Sequence, residues 1–374
     1  MKGPTVKRVG IFGGGIAGLT TAIALGRHGY RCQIYERMRQ VHEAGMGFIL
    51  LREASASLQA GGISLRGVPL YRYRCLDSSG TLLHQQNMPG GAIGLRRSDL
   101  ISALVNALPE DKHLSFDSEL DSLEFDGSGA VEAARLASGR VVQADLYVGA
   151  DGMRSRIRHA LFPDWPACLA QVQEITGLAR SADVVRWAGN DFNKFHVTRG
   201  GVALGVVPVD SDHVVWYMQF DSHRFSPSTR NVEGLHSFVR ALVSEWADPV
   251  PDLVALTDPA QVYLWRPLDV DLIPYFHQKN LVLVGDAAHP LLPFTSQGVC
   301  SAIADAVTLA ELLSGCDDPV QVLNCYSEVR RAKCAPYIHE GRKLRDRFLM
   351  PLSAESVLLP IVDDQRALAE VATA

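Results

Sequence analysis

The chain has 374 residues, 47% of them hydrophobic and 21% charged, which suits a globular protein with a full core and either two domains or one domain carrying a large insertion. Its net charge of -5, with no basic run, argues against a nucleic-acid surface, and its apolar runs are too short to span a bilayer. The seven cysteines (Cys32, Cys75, Cys168, Cys300, Cys316, Cys325 and Cys334) contain no CxxC pair, so neither a zinc site nor a redox dithiol is expected, and reduced thiols in a cytoplasmic protein are the simplest reading.

Met1–Arg8 is polar, without the apolar stretch of a signal peptide, and leads into a short β-branched run at Arg8–Phe12. Glycines follow at once. Ile16, Leu19, Thr20, Ile23 and Ala24 then recur at helical spacing until His28-Gly29, and Cys32–Tyr35 reads as the next buried strand. This is a βαβ unit with a parallel sheet. From Leu70 to Met88 the pattern is strand-like with a turn at Asp77–Gly80, and Ser98 is expected to cap a helix over Ser98–Leu108. Strands follow around Glu119–Phe125, Val131–Leu136 and Val141–Val148, and they dominate from about Ala167 to Trp265. Gly201–Val209 and His213–Phe220 form a hairpin across Asp210-Ser211-Asp212, and a helix covers Val232–Trp246. After the buried strand Leu281–Val284 the remainder reads as helical, with an alanine-rich tail from Asp363 that is expected to fray.

Three stretches carry the chemistry: Val9–Gly18, Tyr147–Arg158 and Leu281–Gly298. In the first, Gly13 permits a tight turn, Gly15 lets the backbone approach a pyrophosphate, and Gly18 allows helix-on-strand packing; Ile16 and Ala17 open the helix whose N-terminal N–H groups face the phosphates. Glu36, 21 residues after Gly15 and followed by Arg37, ends the second strand, where a carboxylate accepts ribose hydroxyls. In the third, Gly285-Asp286 turns out of a buried strand at its C-terminal end, where open sheets bind ligands, and Asp286 is placed to accept a hydroxyl of such a ligand. Val299, Ala302, Ile303, Ala306, Leu309, Ala310 and Leu313 define an amphipathic helix starting near Gln297-Gly298, and its dipole would favour negative charge beside the Gly285 turn.

In this order and spacing the three stretches resemble the single-component FAD-dependent aromatic hydroxylases, the family of 4-hydroxybenzoate and salicylate hydroxylases, over nearly the whole chain. Arg97-Ser98-Asp99-Leu100 is similar to the family's Arg-x-x-Leu helix start, whose arginine lies along FAD. Asp151-Gly152, with Ser155 and Arg158, is similar to the motif tied to FAD and the nicotinamide donor. Gly285-Asp286 through Pro293, Gln297 and Gly298 is similar to the motif lining the ribityl chain and ring, and Glu43–Gly47 to the loop that runs near the ring. The family usually has glycine where this chain has Ser296 and asparagine where it has Cys300.

The resemblance implies an α/β protein: a Rossmann-like FAD-binding domain of the glutathione-reductase type (1–165 and 273–374), an inserted, mostly antiparallel β-sheet substrate domain at 166–272 with a contribution from 66–93, and a helical C-terminus. It also implies non-covalent FAD, NADH or NADPH as a transient donor, O2 as co-substrate, and oxygen delivery to an aromatic or polycyclic small molecule from a flavin hydroperoxide. No second GxGxxG follows, which argues against a disulfide reductase, and no Trp-x-Trp-x-x-Ile-Pro stretch marks a halogenase. Dehydrogenation, reduction, halogenation or a redox-silent scaffold remain the alternatives, and either a monomer or a homodimer is compatible with the sequence.

For the reaction itself Arg52, Tyr217 and Pro293 are the candidates. On the hairpin strand, Val214, Trp216, Met218 and Phe220 alternate with Val215, Tyr217 and Gln219, and the sequence leaves open which set faces the cofactor. His196 and His213 are candidate bases, each read more simply as a surface histidine; His289 fits a structural or phosphate-side role better than proton transfer. No metal site is expected.

Overall fold

A computed structural model describes residues 7–40, 46–108, 114–354 and 357. The expected loop at Glu43–Gly47, apart from Met46 and Gly47, and the tail from Asp363 lie outside these residues.

In the first sheet the strands run in the order His277–Gln278, Leu281–Leu283, Leu146–Gly149, Arg8–Phe12, Arg31–Tyr35 and Leu114–Ser115, all parallel except the His277–Gln278 edge. The central strands are buried on both sides, which is why Val9–Phe12 and Leu281–Leu283 are continuous apolar runs and not alternating ones. Helix α1 (Ile16–Arg27) follows the first strand. Helix α2 (Arg52–Ala60) was not expected from the sequence. Its buried residues, Ala54 and Leu58, lie four apart on one face, a short amphipathic pattern that a single turn of periodicity does not announce. Helix α3 (Arg97–Asn106) starts one residue earlier than its sequence suggests, with Arg96 and not Ser98 at the cap position, so Arg97 belongs to the first turn.

The second sheet has seven strands in the order Val262–Trp265, Val172–Arg180, His213–Asp221, Val202–Pro208, Asp191–His196, Arg72–Asp77 and Leu82–Asn87. Pairing is antiparallel except between Asp191–His196 and Arg72–Asp77. Helices α4 (Arg156–Leu161), α5 (Ala182–Ala188), α6 (Val232–Val243) and α7 (Val250–Ala255) come next in the chain. The last three cover one face of this sheet, packing on Ile175, Phe195, Leu204, Val206, Val214, Trp216, Met218 and Phe220. Each such side chain, removed from water, stabilises the fold by roughly 1.5–3 kcal/mol. Trp216 Nε1 donates to Thr257 Oγ1 at 2.8 Å, and the Phe220 ring meets Phe238 of α6 edge-on at 5.3 Å.

That assignment settles the hairpin. The opposite face, with Val215 and Tyr217, packs into the core that it shares with the first sheet, and it touches the strand Gly47–Leu50 of a separate three-stranded sheet: a Cβ placed on Gly47 would meet Val215 Cγ2 at 3.0 Å. Helices α8 (Gly298–Gly315) and α9 (Pro319–Leu349) complete the chain. Among the described residues α8 alone is long and apolar enough to cross a membrane, yet it packs inside the protein against α1, α2 and α9.

Candidate active site

At the end of Arg8–Phe12 the chain turns with Gly13 at φ +115°, where a Cβ would lie 2.2 Å from Ala150 O. A Cβ on Gly18 would lie 1.9 Å from Gly13 O, so helix and turn are in direct backbone contact. Gly15 differs: nothing lies within 4 Å of its would-be Cβ, and as N-cap of α1 it offers no side-chain acceptor to the first-turn N–H groups. A helix N-terminus left open in this way is a cradle for phosphate. Glu36 stands beside it, accepting from Gly14 N at 2.6 Å and Met38 N at 2.9 Å through different oxygens, each with a lone pair left for a hydroxyl. Arg37 is exposed just beyond.

Asp151 is tied down by its own helix. Its carboxylate accepts from Ser155 Oγ at 2.5 Å, Arg156 N at 2.8 Å and Ile157 N at 3.3 Å, anchoring the start of α4. Burial still holds its carboxyl above the usual range. Gly152, at φ +81°, has open space where a Cβ would project. Arg158 reaches across to the third motif, donating to Asp286 O at 3.0 Å and Ala287 O at 2.9 Å, so it shapes that turn. The Asp286 carboxyl is raised by burial, against the opposing fields of His289, Arg97 and Arg158. Arg97 has a buried Nε with no hydrogen-bond partner among the described residues and lies within the field of Asp286.

Asp305 and Arg330 were not singled out in the sequence. Asp305, fully buried on α8, accepts from Gly285 N at 2.7 Å, His289 Nε2 at 2.6 Å and Arg330 Nε at 2.5 Å. His289 therefore has the structural role expected of it. Asp305 was passed over because it sits among apolar neighbours at helical spacing, and only its charge on a buried face would have marked it.

The segment from Pro293 leads to α8, whose N-terminus at Gln297-Gly298 has no side-chain cap and has open space at Gly298. Ser296 takes a left-handed conformation, φ +55°, the geometry for which glycine is suited, and its carbonyl accepts from Cys300 Sγ at 3.6 Å. The open α1 N-terminus, the unpartnered Arg97 Nε and the uncapped α8 start fit a long cofactor with phosphates at one end and a ring that takes up negative charge at the other.

Opposite them lies the inner face of the seven-stranded sheet. Cross-strand pairing puts Lys194, Gly205, Tyr217 and Thr176 in one row and His196, Ala203, Gln219 and Glu174 in the next. Gly205 and Ala203 leave the middle strand almost bare, so long polar side chains meet above it. Lys194 Nζ donates to Gln219 Oε1 at 2.9 Å; Gln219 Nε2 donates to Glu174 Oε2 at 3.2 Å and to Pro293 O at 3.0 Å. Burial pushes the Glu174 carboxyl up to about 7 and pulls the Lys194 ammonium down to about 8. His196 is buried, contrary to the surface position expected of it, because its strand is covered on both faces; burial and then Lys194 hold it well below its usual pKa, and its Nε2 has no partner among the described residues. Tyr217 is half-buried in this row, with Lys194 Nζ 5.8 Å from its ring centre. Glu174 and Lys194 were missed in the sequence, although polar residues two apart in a strand of apolar ones were a usable signal.

The remaining candidates lie elsewhere. His213 sits at the hairpin turn, bound to Asp210 at 3.0 Å and Asp212 at 3.1 Å, with Arg96 on Asp210 at 3.3 Å. Arg52 is exposed at the start of α2, its stem beside Gly91.

Comparison with known proteins identifies the family. The FAD binding domain family matches residues 7–336. The chain is 28% identical to the 3-amino-4-hydroxybenzoate 2-monooxygenase PtmB3 of Streptomyces platensis, over 92% of this chain and 89% of that one. It is 30% identical to kynurenine 3-monooxygenase of Salinispora tropica, over 87% and 76%. Its fold is shared with Klebsiella pneumoniae HpxO complexed with FAD and uric acid, at a TM-score of 0.81 and 20% identity, covering 98% of this chain and 92% of that one.

Proposed function

The chain belongs to the FAD binding domain family and is an FAD-dependent monooxygenase; from that premise we propose that it uses NADH or NADPH and O2 to hydroxylate a small aromatic or polycyclic molecule held between the cofactor ring and the inner face of the seven-stranded sheet. FAD supplies the redox centre that accepts the donor's electrons and reacts with oxygen. The chain's own part is to bind and orient. The α1 N-terminus with Gly13, Gly15 and Gly18 takes the pyrophosphate, Glu36 the adenosine ribose, and Arg97 with Asp286 the ribityl side. The α8 N-terminus at Gln297-Gly298 stabilises negative charge on the ring.

The observation that carries this reading is the Gln219 Nε2 to Pro293 O bond of 3.0 Å. It joins the polar row of the sheet to the segment that leads into α8, so a substrate near Thr176 and Tyr217 would be walled by both. Thr176 Oγ1 is buried with no partner among the described residues, and an isolated buried hydroxyl favours a ligand that completes its hydrogen bonding. The thiols of Cys32, Cys75 and Cys334 are free and buried, which supports a reducing, cytoplasmic setting.

The test is an absorbance spectrum of purified protein, followed anaerobically while NADH or NADPH is added, with and without a phenol. Two flavin bands that bleach support the reading. A colourless protein that takes up no FAD overturns it and leaves a redox-silent scaffold.

A further inference from the structure

Two buried polar groups on the inner sheet face lack partners among the described residues, Thr176 Oγ1 and His196 Nε2, and beside them Glu174 accepts its Gln219 bond through Oε2, which leaves the other carboxylate oxygen to a ligand. Such groups inside a packed protein mark a place where a polar ligand belongs. The bound half of Glu174 is fixed in orientation. Gln219 accepts from Lys194 through Oε1, so its Nε2 must face Glu174 and Pro293 O, and this order suits an ammonium at one end and a carboxylate at the other.

We propose that Glu174 is the catalytic base that takes the ring-hydroxyl proton of the aromatic substrate, with Gln219 and Lys194 as the positioning residues that hold its carboxylate and its charge. The proposal rests on the hydroxylase reading above. In the step, the substrate O–H bond breaks, an O–H bond forms on the free oxygen of Glu174, and the electron pair stays on the ring oxygen; nothing is oxidised or reduced. The negative charge moves from Glu174 to the substrate while Lys194 keeps the pocket neutral, and an ionised hydroxyl makes the ring a better nucleophile toward an oxygen donor.

Among the described residues, no other group facing Glu174 competes for this role. Tyr217 is held protonated, its pKa raised well above the usual value by burial and then by Glu174. His196 is held neutral by burial and by Lys194. On neighbouring strands Asp221 accepts from Gln171 and His223 N, and Asp77 is committed to Ser79 and Thr81 of its own turn. Cys75 lies nearer Lys194, and its thiol is raised by burial. Arg342 and Arg345 of α9 are bound to Asp269. The carboxyl near 7 places the ionised base at neutral pH, where proton transfer is most effective.

The experiment compares wild-type and Glu174→Gln holoenzyme in oxygen uptake driven by NADH or NADPH. The probes are 3-amino-4-hydroxybenzoate, 4-hydroxybenzoate and the methyl ether 4-methoxybenzoate, assayed from pH 6 to 9. For the hydroxylated probes the wild-type kcat/KM should rise with pH through about 7. Glu174→Gln should lose that limb and about 100-fold or more in kcat/KM, the range of general-base loss, while binding FAD in equal amount. Glu174→Asp should keep a limb at reduced rate, and Lys194→Met should move the limb to higher pH. A Glu174→Gln enzyme that retains both rate and limb overturns the base assignment and leaves the hydroxylase reading standing. A wild type whose oxygen uptake no hydroxylated probe stimulates, though it is yellow and reducible, overturns both.

Discussion

The main-chain N–H of Gly285 donates to the buried carboxylate of Asp305 at 2.7 Å, and the same oxygen takes His289 Nε2 at 2.6 Å. The turn that presents Asp286 is therefore held from behind by an anion on α8, itself neutralised by Arg330 of α9. Replacing Asp305 by Asn leaves the Arg330 charge buried without its partner, a change that costs about 3–5 kcal/mol. The thermal midpoint should fall accordingly, and a variant as stable as wild type would contradict this role.

The same cluster predicts a pH signature. For Asp305, burial works to raise the carboxyl, but His289 and Arg330 outweigh it and the net shift is downward. Its contribution is thus present above the unfolded pKa, about 4, and is lost as pH falls through the lower folded value. For His289, burial is outweighed by Asp305 and the net shift is strongly upward. Its contribution is full below about 6.5 and is lost as pH rises through the folded value. The stability gap between wild type and Asp305→Asn should be widest between about pH 4 and 6.5 and should narrow above. A gap that grows toward alkaline pH would contradict the assignment.

Gly15→Val tests the phosphate cradle. Nothing lies within 4 Å of a Cβ at this position, so the fold should survive. The valine side chain would occupy the room of the pyrophosphate and deny it charged hydrogen bonds of about 1.5–3 kcal/mol each, weakening FAD binding by an order of magnitude or more. Wild-type FAD stoichiometry in a folded variant would remove the α1 turn from the site.

Ser296→Gly should stabilise the protein. A left-handed serine costs about 1–2 kcal/mol, and the extra flexibility of glycine in the unfolded chain returns roughly 0.5–1 kcal/mol of that. A net gain of about 0.5–1 kcal/mol in denaturant unfolding is expected, and Ser296→Val should lose stability. A destabilised glycine variant would show that the serine side chain contributes more than its backbone strain takes away.

The two faces of the seven-stranded sheet should answer differently to small changes. A Cβ on Gly205 would lie 2.4 Å from the Tyr217 ring, so Gly205→Ala must displace that ring and raise KM for an aromatic probe while FAD content stays constant. Thr257→Val, on the helix side, removes the acceptor of Trp216 and should cost about 1–3 kcal/mol in stability, with KM unchanged. Steady-state kinetics and unfolding curves on the two variants check this, and matching phenotypes would contradict the division into faces.

The nucleotide side of the molecule was largely legible because glycines, an acidic strand end and an uncapped helix are local features. Gly13, Glu36 and Gly298 lie at the turn, strand end and helix start where their neighbours in sequence put them. The inner face of the seven-stranded sheet was not. Glu174, Lys194 and Gln219 come from three strands, and only the register of the sheet brings them together over Gly205 and Ala203. His196 looked like a surface residue because nothing in its strand says that both faces are covered. Helix α2 was missed for a similar reason, since its short apolar stripe has meaning only against α8.

The most direct test of the central claim is product analysis under labelled oxygen. Purified protein loaded with FAD, given NADH or NADPH, hydroxylated aromatic probes and 18O2, should yield a probe heavier by one labelled oxygen atom, with donor consumption that rises with the probe. Donor consumption with every probe returned unchanged, or a product that has lost hydrogen and gained no label, would contradict the claim that this chain is an aromatic hydroxylase.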